Sequence, residues 1–163
     1  MSVVDEVINA NEAYASSFTK GDLPMPPGRG FAIVTCMDAR IDPAKAFGLE
    51  EGDAHVIRNA GGLVTEDALR SLAISHRLLG TQEFLIAGHT GCGMLTFTNE
   101  QVHSKLKDEA GIDASDVDFH PFPDLAGSVR ESVRRVRESP LTAGVPVSGW
   151  IYEVETGRLV PVE

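Results

Sequence analysis

With 163 residues, 42% of them apolar and 23% charged, the chain has globular composition and the length for one hydrophobic core. Its formal net charge of −10 argues against a phosphate backbone or an anionic membrane surface as partner. Two cysteines do not make a disulfide framework.

Residues 3–17, VVDEVINANEAYASS, predict a leading helix. The N-terminal stretch carries early acids and no long apolar run, which reads as neither signal peptide nor membrane span, so a reducing cytoplasm is the expected compartment. The Pro- and Gly-rich GDLPMPPGRG, residues 21–30, predicts an extended connector. FAIVT, residues 31–35, is an unbroken apolar run of buried-strand type. A short helix is expected over 43–49, with Pro43 in its first turn. AHVIRNAGG, residues 54–62, reads as a second strand entering a glycine loop.

Residues 65–80 carry the clearest helix signal. Thr65 suits the N-cap, Glu66 and Asp67 complement the dipole, Leu69, Leu72 and Leu79 lie near one face, and Gly80 marks the stop. QEFLIAG, residues 82–88, is a third buried-type strand running into HTGCGM. A further helix is expected over 94–110. Over 124–139, Leu125, Val129, Val133 and Val136 recur at helical spacing. The arginines at 130, 134, 135 and 137 are interleaved with Glu131 and Glu138, and Glu131→Arg135 is an i,i+4 pair on a solvated face. The last segment, from Val147, predicts two strands around Glu155-Thr156-Gly157.

Strands alternating with helices predict an α/β fold of three α/β/α layers around a mainly parallel sheet. One domain is expected over residues 1–163, with 1–30 as N-terminal arm and connector. Sites in such sheets gather beyond the carboxyl ends of the strands. Cys36 follows the first strand, and His89 and Cys92 follow the third.

Two thiolates and an imidazole suit Zn²⁺, which takes N and S donors tetrahedrally, and three protein donors leave a fourth position for chemistry. The alternatives are a redox or nucleophilic cysteine, or plain buried structure. Neither Cys-x-x-Cys nor G-x-S-x-G is present, which disfavours a redox pair and a hydrolase elbow. Asp38 and Arg40 alternate on an extended segment, so they can pair. The pair serves either an ion's surroundings or structure alone, and Asp38 can also bind the ion itself.

CMDAR at 36–40 and HTGC at 89–92, with HVIRNAGG at 55–62 between them, resemble the signature of the β-class carbonic anhydrases, in particular short actinobacterial members. The resemblance runs from about Phe31 to about Gly93. It implies zinc held by Cys36, His89 and Cys92, with Asp38 as a fourth ligand in a closed state. It implies reversible hydration of carbon dioxide to bicarbonate and a proton by zinc-bound hydroxide, helped by an Asp38–Arg40 dyad. It further implies an antiparallel strand beside the parallel sheet. The active unit would be a homodimer embraced by N-terminal helices, or a homotetramer. Backbone N–H groups at Gly61 or Gly62 are candidates to touch bicarbonate.

Met37 stands where many members have Ser, and Pro27 where many have Gln. Both departures bear on substrate, so carbonyl sulfide or carbon disulfide hydrolysis on the same zinc site is an alternative. A non-catalytic zinc-binding module is a second. His76 is expected to be packed or solvated rather than liganding, and Trp150 and Tyr152 to belong to core or interface.

Overall fold

Apolar run length decides the centre of the molecule. In the computed structural model, which describes residues 2–163, β1 (Phe31–Cys36) and β3 (Glu83–His89) lie side by side, with most of their residues buried. β2 (Ala54–Asn59) pairs parallel with β1, and β4 (Val147–Tyr152) pairs parallel with β3. β5 (Leu159–Val162) joins β4 antiparallel, giving the order β2-β1-β3-β4-β5. The expected α/β class, mainly parallel sheet and antiparallel edge are therefore found. His89 is the last residue of β3 rather than the first beyond it.

The helices start where their caps allow. α1 (Val3–Ser16) opens with a Ser2–Asp5 capping box, α2 (Pro43–Phe47) with Asp42 as cap, and α3 (Glu66–Arg77) with Thr65. The helix expected from residue 94 begins later. A 3₁₀ turn (Gly93–Leu95) comes first, and α4 (Asn99–Ala110) starts at a Thr98–Gln101 capping box. Thr98 offers its hydroxyl to the Gln101 N–H, a start that Met94 has no side-chain oxygen to provide.

α5 (Leu125–Glu138) turns Val129, Val133 and Val136 inward. With Leu72 of α3, Val133 and Val136 bury the sheet face bearing Ala32, Val34, Phe84 and Ile86, while Val129 lies over Gly88 and Gly149. Residues of opposite parity, Ile33, Thr35 and Ala87, are also fully buried, so both faces are covered at the centre of the sheet. On the outer face of α5, Glu131 pairs with Arg134 at 2.6 Å instead of with Arg135, and Arg134 also reaches Glu138. Arg135 is partly buried and lines a groove with Leu63 and Phe122, and it still adds to the charge facing Glu131.

α1 has no buried residue, and its Val3, Val4, Val7 and Ile8 are exposed. It is tied to the body near its end by Tyr14 Oη, which donates to Glu51 at 3.3 Å, and by the following Lys20, which pairs with Glu50 and Glu51. Among the described residues, no helix is long and apolar enough to cross a membrane.

Candidate metal centre

The parallel pairing of β1 with β3 sets the site. It brings the end of β1, carrying Cys36, beside the end of β3, carrying His89, and the loop after β3 returns Cys92. All three are buried, and their Sγ, Sγ and imidazole nitrogen atoms lie within 4.8 Å of one another. A tetrahedral zinc with bonds of about 2.0–2.3 Å needs donors about 3.5–3.8 Å apart, so one ion fits among them. Both thiols are free.

The imidazole is prepared for a metal. Nδ1 sits 2.9 Å from the Thr90 carbonyl oxygen, which can only accept, so Nδ1 carries the hydrogen. Nε2 then presents a lone pair, and it is buried without a hydrogen-bond partner. Leaving a buried polar atom unpaired costs roughly 1–3 kcal/mol, and a ligated cation removes that cost. The donor set and this orphaned nitrogen both fit a bound metal.

Burial pushes both thiols up, but the outcomes differ. At Cys36 the His89 imidazole and the N–H groups of Asp38 and Gly61 outweigh it, and the thiol ionises more readily than usual. At Cys92 burial prevails over the Met94 N–H, and the nearby Cys36 adds to it, so that thiol holds its proton. A dication displaces both protons on binding.

Asp38 faces the cluster, with Oδ2 3.7 Å from His89 Nε2. Arg40 grips it bidentately: Nε donates to Oδ1 at 2.9 Å and Nη2 to Oδ2 at 2.8 Å, while the Arg40 backbone N–H adds a bond to Oδ1 at 2.9 Å. The guanidinium holds the Asp38 carboxyl well below the usual carboxylate range. Arg40 Nη2 also donates to the Gly91 carbonyl at 2.9 Å, which ties this pair to the ligand loop.

Gly61 and Gly62 sit against Cys36 rather than facing open space. The Gly61 N–H is directed to the Cys36 sulfur, and the Gly62 N–H donates to Asn59 O at 3.3 Å. Both have left-handed φ values, +89° and +64°. A Cβ on Gly62 would lie 2.8 Å from the Cys36 nitrogen. The Asn59 side chain closes this loop through two 2.8 Å bonds with Leu63.

Several contributors carry no motif. Arg58 on β2 donates from Nε to the Cys36 carbonyl at 2.9 Å and from Nη2 to the Asp38 carbonyl at 2.8 Å. The Arg in HVIRN was readable, but not its aim. Thr90 and Glu155 meet at 2.9 Å across 65 residues. Ile41, Met94 and Phe122 pack around the two cysteines and give the site an apolar wall, with Tyr152 against it. The Met37 side chain is exposed, and its N–H donates to Asn59 O, so the backbone course does not depend on the residue there. Pro27 is buried in the connector, which bonds along the turn before β2 through Gly28 to Gly52 and Arg29 to Asp53. His76 is partly buried, its Nδ1 donating to Thr81 O at 2.7 Å, as expected of a packed histidine.

A family model described as carbonic anhydrase matches residues 31–118, more than half of the chain. Beta-carbonic anhydrase 1 of Mycobacterium tuberculosis is 48% identical over 162 residues, covering 98% of this chain and 97% of the relative. The crystal structure of carbonic anhydrase from Streptococcus mutans superposes with a TM-score of 0.95 at 48% identity, covering 100% of this chain and 99% of that one. Carbon disulfide hydrolase of Acidithiobacillus thiooxidans is 33% identical over 182 residues, covering 99% of this chain and 91% of the relative. With the Cys-His-Cys cluster in place and the likeness running the length of the chain, this protein belongs to the β-carbonic anhydrase family.

Proposed function

We propose that the chain is a zinc enzyme that interconverts carbon dioxide and bicarbonate. The observation that carries this is the orphaned His89 Nε2, buried between two cysteines and 3.7 Å from a carboxylate that Arg40 holds ionised. Zinc in this position would act as a Lewis acid, bringing the pKa of water from about 15.7 to roughly 7 and making hydroxide available at neutral pH. Cys36, His89 and Cys92 hold the ion.

Asp38 Oδ2 accepts the hydrogen bond of the attacking nucleophile and turns its lone pair toward the carbon of the substrate. Arg40 keeps Asp38 ionised and, by taking both of its oxygens, off the metal. This supports three protein donors and an open fourth position over a closed, non-catalytic site. The apolar wall of Ile41, Met94 and Phe122 suits a small uncharged substrate. Gly61 and Gly62 already direct their N–H groups at Cys36 and Asn59, so we assign them to supporting the ligand rather than bicarbonate.

Carbonyl sulfide or carbon disulfide hydrolysis is the second reading, favoured by the relative named carbon disulfide hydrolase. The higher identity to the relative named beta-carbonic anhydrase 1 favours carbon dioxide. The exposed apolar residues of α1 support a homo-oligomer in which this arm packs on a second copy. Two thiol ligands that must stay reduced support a cytoplasmic location. In the same reading, residues 1–163 form one domain.

The test is metal analysis of protein purified without chelator, then stopped-flow carbon dioxide hydration beside hydrogen sulfide release from carbonyl sulfide and carbon disulfide. One zinc per chain with hydration dominant is expected. Asp38→Ala should keep zinc and lose most turnover. Absence of stoichiometric zinc would falsify the whole reading, and dominant sulfide release would replace carbon dioxide with its sulfur analogues.

A further inference from the structure

The metal site is gripped from a part of the chain that contributes nothing to its ligands or its charged pair. Thr90 follows His89, and its N–H and hydroxyl are held at three points by β4 and the turn after it. Its N–H donates to Tyr152 O at 3.0 Å. Its hydroxyl accepts from the Val154 N–H at 3.0 Å and donates to Glu155 Oε2 at 2.9 Å. That is full use of one hydroxyl hydrogen and one lone pair. The carbonyl of Thr90 itself receives the His89 Nδ1–H, and the next carbonyl, of Gly91, receives Arg40 Nη2. The turn thus acts on both halves of the site through two successive carbonyls.

We propose that Thr90 and Glu155 form a positioning latch, in which the β4–β5 turn fixes the Thr90 carbonyl and thereby the tautomer and orientation of His89 toward zinc. The inference rests on the zinc-enzyme reading above and extends it to two residues that touch neither metal nor substrate. Glu155 is exposed and lies outside any packed core, and its side chain accepts the hydrogen bond of Thr90. It also places a negative charge near Arg40, favouring the guanidinium where Asp38 needs it. Outer partners of metal-bound histidines typically contribute 10–100-fold to metal affinity. Here the partner is a backbone carbonyl, which no substitution removes, so the latch that aims it is the part open to test.

The experiment is zinc affinity by chromophoric-chelator competition on the purified, folded protein, with far-UV circular dichroism as the check on folding. Thr90→Val keeps shape and removes the hydroxyl, and about a tenfold loss of zinc affinity is expected. Thr90→Ser restores the hydroxyl and should restore affinity to within about twofold. Glu155→Ala should weaken zinc several-fold, and Glu155→Gln, which can still accept from Thr90, should weaken it less. The double variant T90V/E155A should lose no more than T90V, because the two act as one unit. A merely structural role would lower the melting temperature of the metal-free variants while leaving the affinity of the folded protein unchanged. Zinc affinity of T90V within twofold of wild type, or T90S as weak as T90V, overturns the latch. Wild type that takes up no zinc overturns both readings. Zinc uptake without hydration overturns the proposed reaction, and the affinity series still decides the latch.

Discussion

Replacing Gly62 by Ala tests whether the glycine loop after β2 is shaped by the Cys36 backbone it abuts. Gly62 has φ +64°, where an L residue costs roughly 1–2 kcal/mol. The added methyl would stand 2.8 Å from the Cys36 nitrogen, 2.9 Å from the Thr35 carbonyl carbon and 3.0 Å from the Ala87 oxygen. All three are backbone atoms of β1 and β3, held by the ladder between them, so none can swing aside as a side-chain end would. Overpacking of that kind adds about 2–3 kcal/mol. The total, about 3–5 kcal/mol, is a large share of the roughly 5–15 kcal/mol that keeps a domain folded. Gly48→Ala is the control, since Gly48 has φ +61° but nothing within 4 Å of its Cβ position. It should cost only the backbone part, about 1–2 kcal/mol. Urea unfolding of metal-free protein, at one fixed protein concentration for all variants, measures the difference. Equal losses in the two variants would refute the reasoning, because the close approach to Cys36 would then cost nothing.

Acid stability should depend on Asp38. Arg40 holds its carboxyl below the ordinary range, so the folded protein binds that proton more weakly than the unfolded chain. The resulting stability is complete above the ordinary carboxylate pKa of about 4 and is lost as pH falls toward the folded value. Metal-free wild type should therefore lose more stability than Asp38→Asn between about pH 5 and pH 2, and parallel urea midpoints across that range would contradict it. Arg58→Met should weaken zinc retention during dialysis against a chelator by roughly tenfold, because the carbonyls of Cys36 and Asp38 lose their clamp. Retention equal to wild type would show that β1 holds its own exit without β2.

The Cys36-His89-Cys92 cluster was legible because donor side chains and strand ends coincide in the chain. Cys36 stands where FAIVT stops, and His89 and Cys92 stand where FLIAG stops, so a parallel sheet had to bring them to one edge. Asp38 and Arg40 do pair, but a turn brings them together rather than alternation on an extended segment: the Ile41 N–H donates to Asp38 O and the Arg40 N–H to Asp38 Oδ1. What lay hidden depends on strand order. Thr90 meets Glu155 only because β4 lies beside β3, and no local pattern encodes that neighbour. Arg58 reads as one more charged residue of a half-buried strand until β2 is placed on β1, with Asn59 opposite Cys36. The Glu131 partner was missed for a smaller reason. Arg134 and Arg135 are both in reach on a helix; Arg134 makes the ion pair, and Arg135 acts on Glu131 only at longer range.

The order β2-β1-β3 also bears on how such a site can change over generations. Adjacent parallel strands lie about 4.8 Å apart whatever joins them, so the backbone ladder fixes the gap between the Cys36 and His89 halves. The chain between them runs through α2, the outer strand β2 and α3 before it returns. Insertions and deletions in the loops flanking α2 and α3 fall outside the β1–β3 ladder. A lineage can therefore vary those loops while the strand ends that carry Cys36 and His89 stay in register.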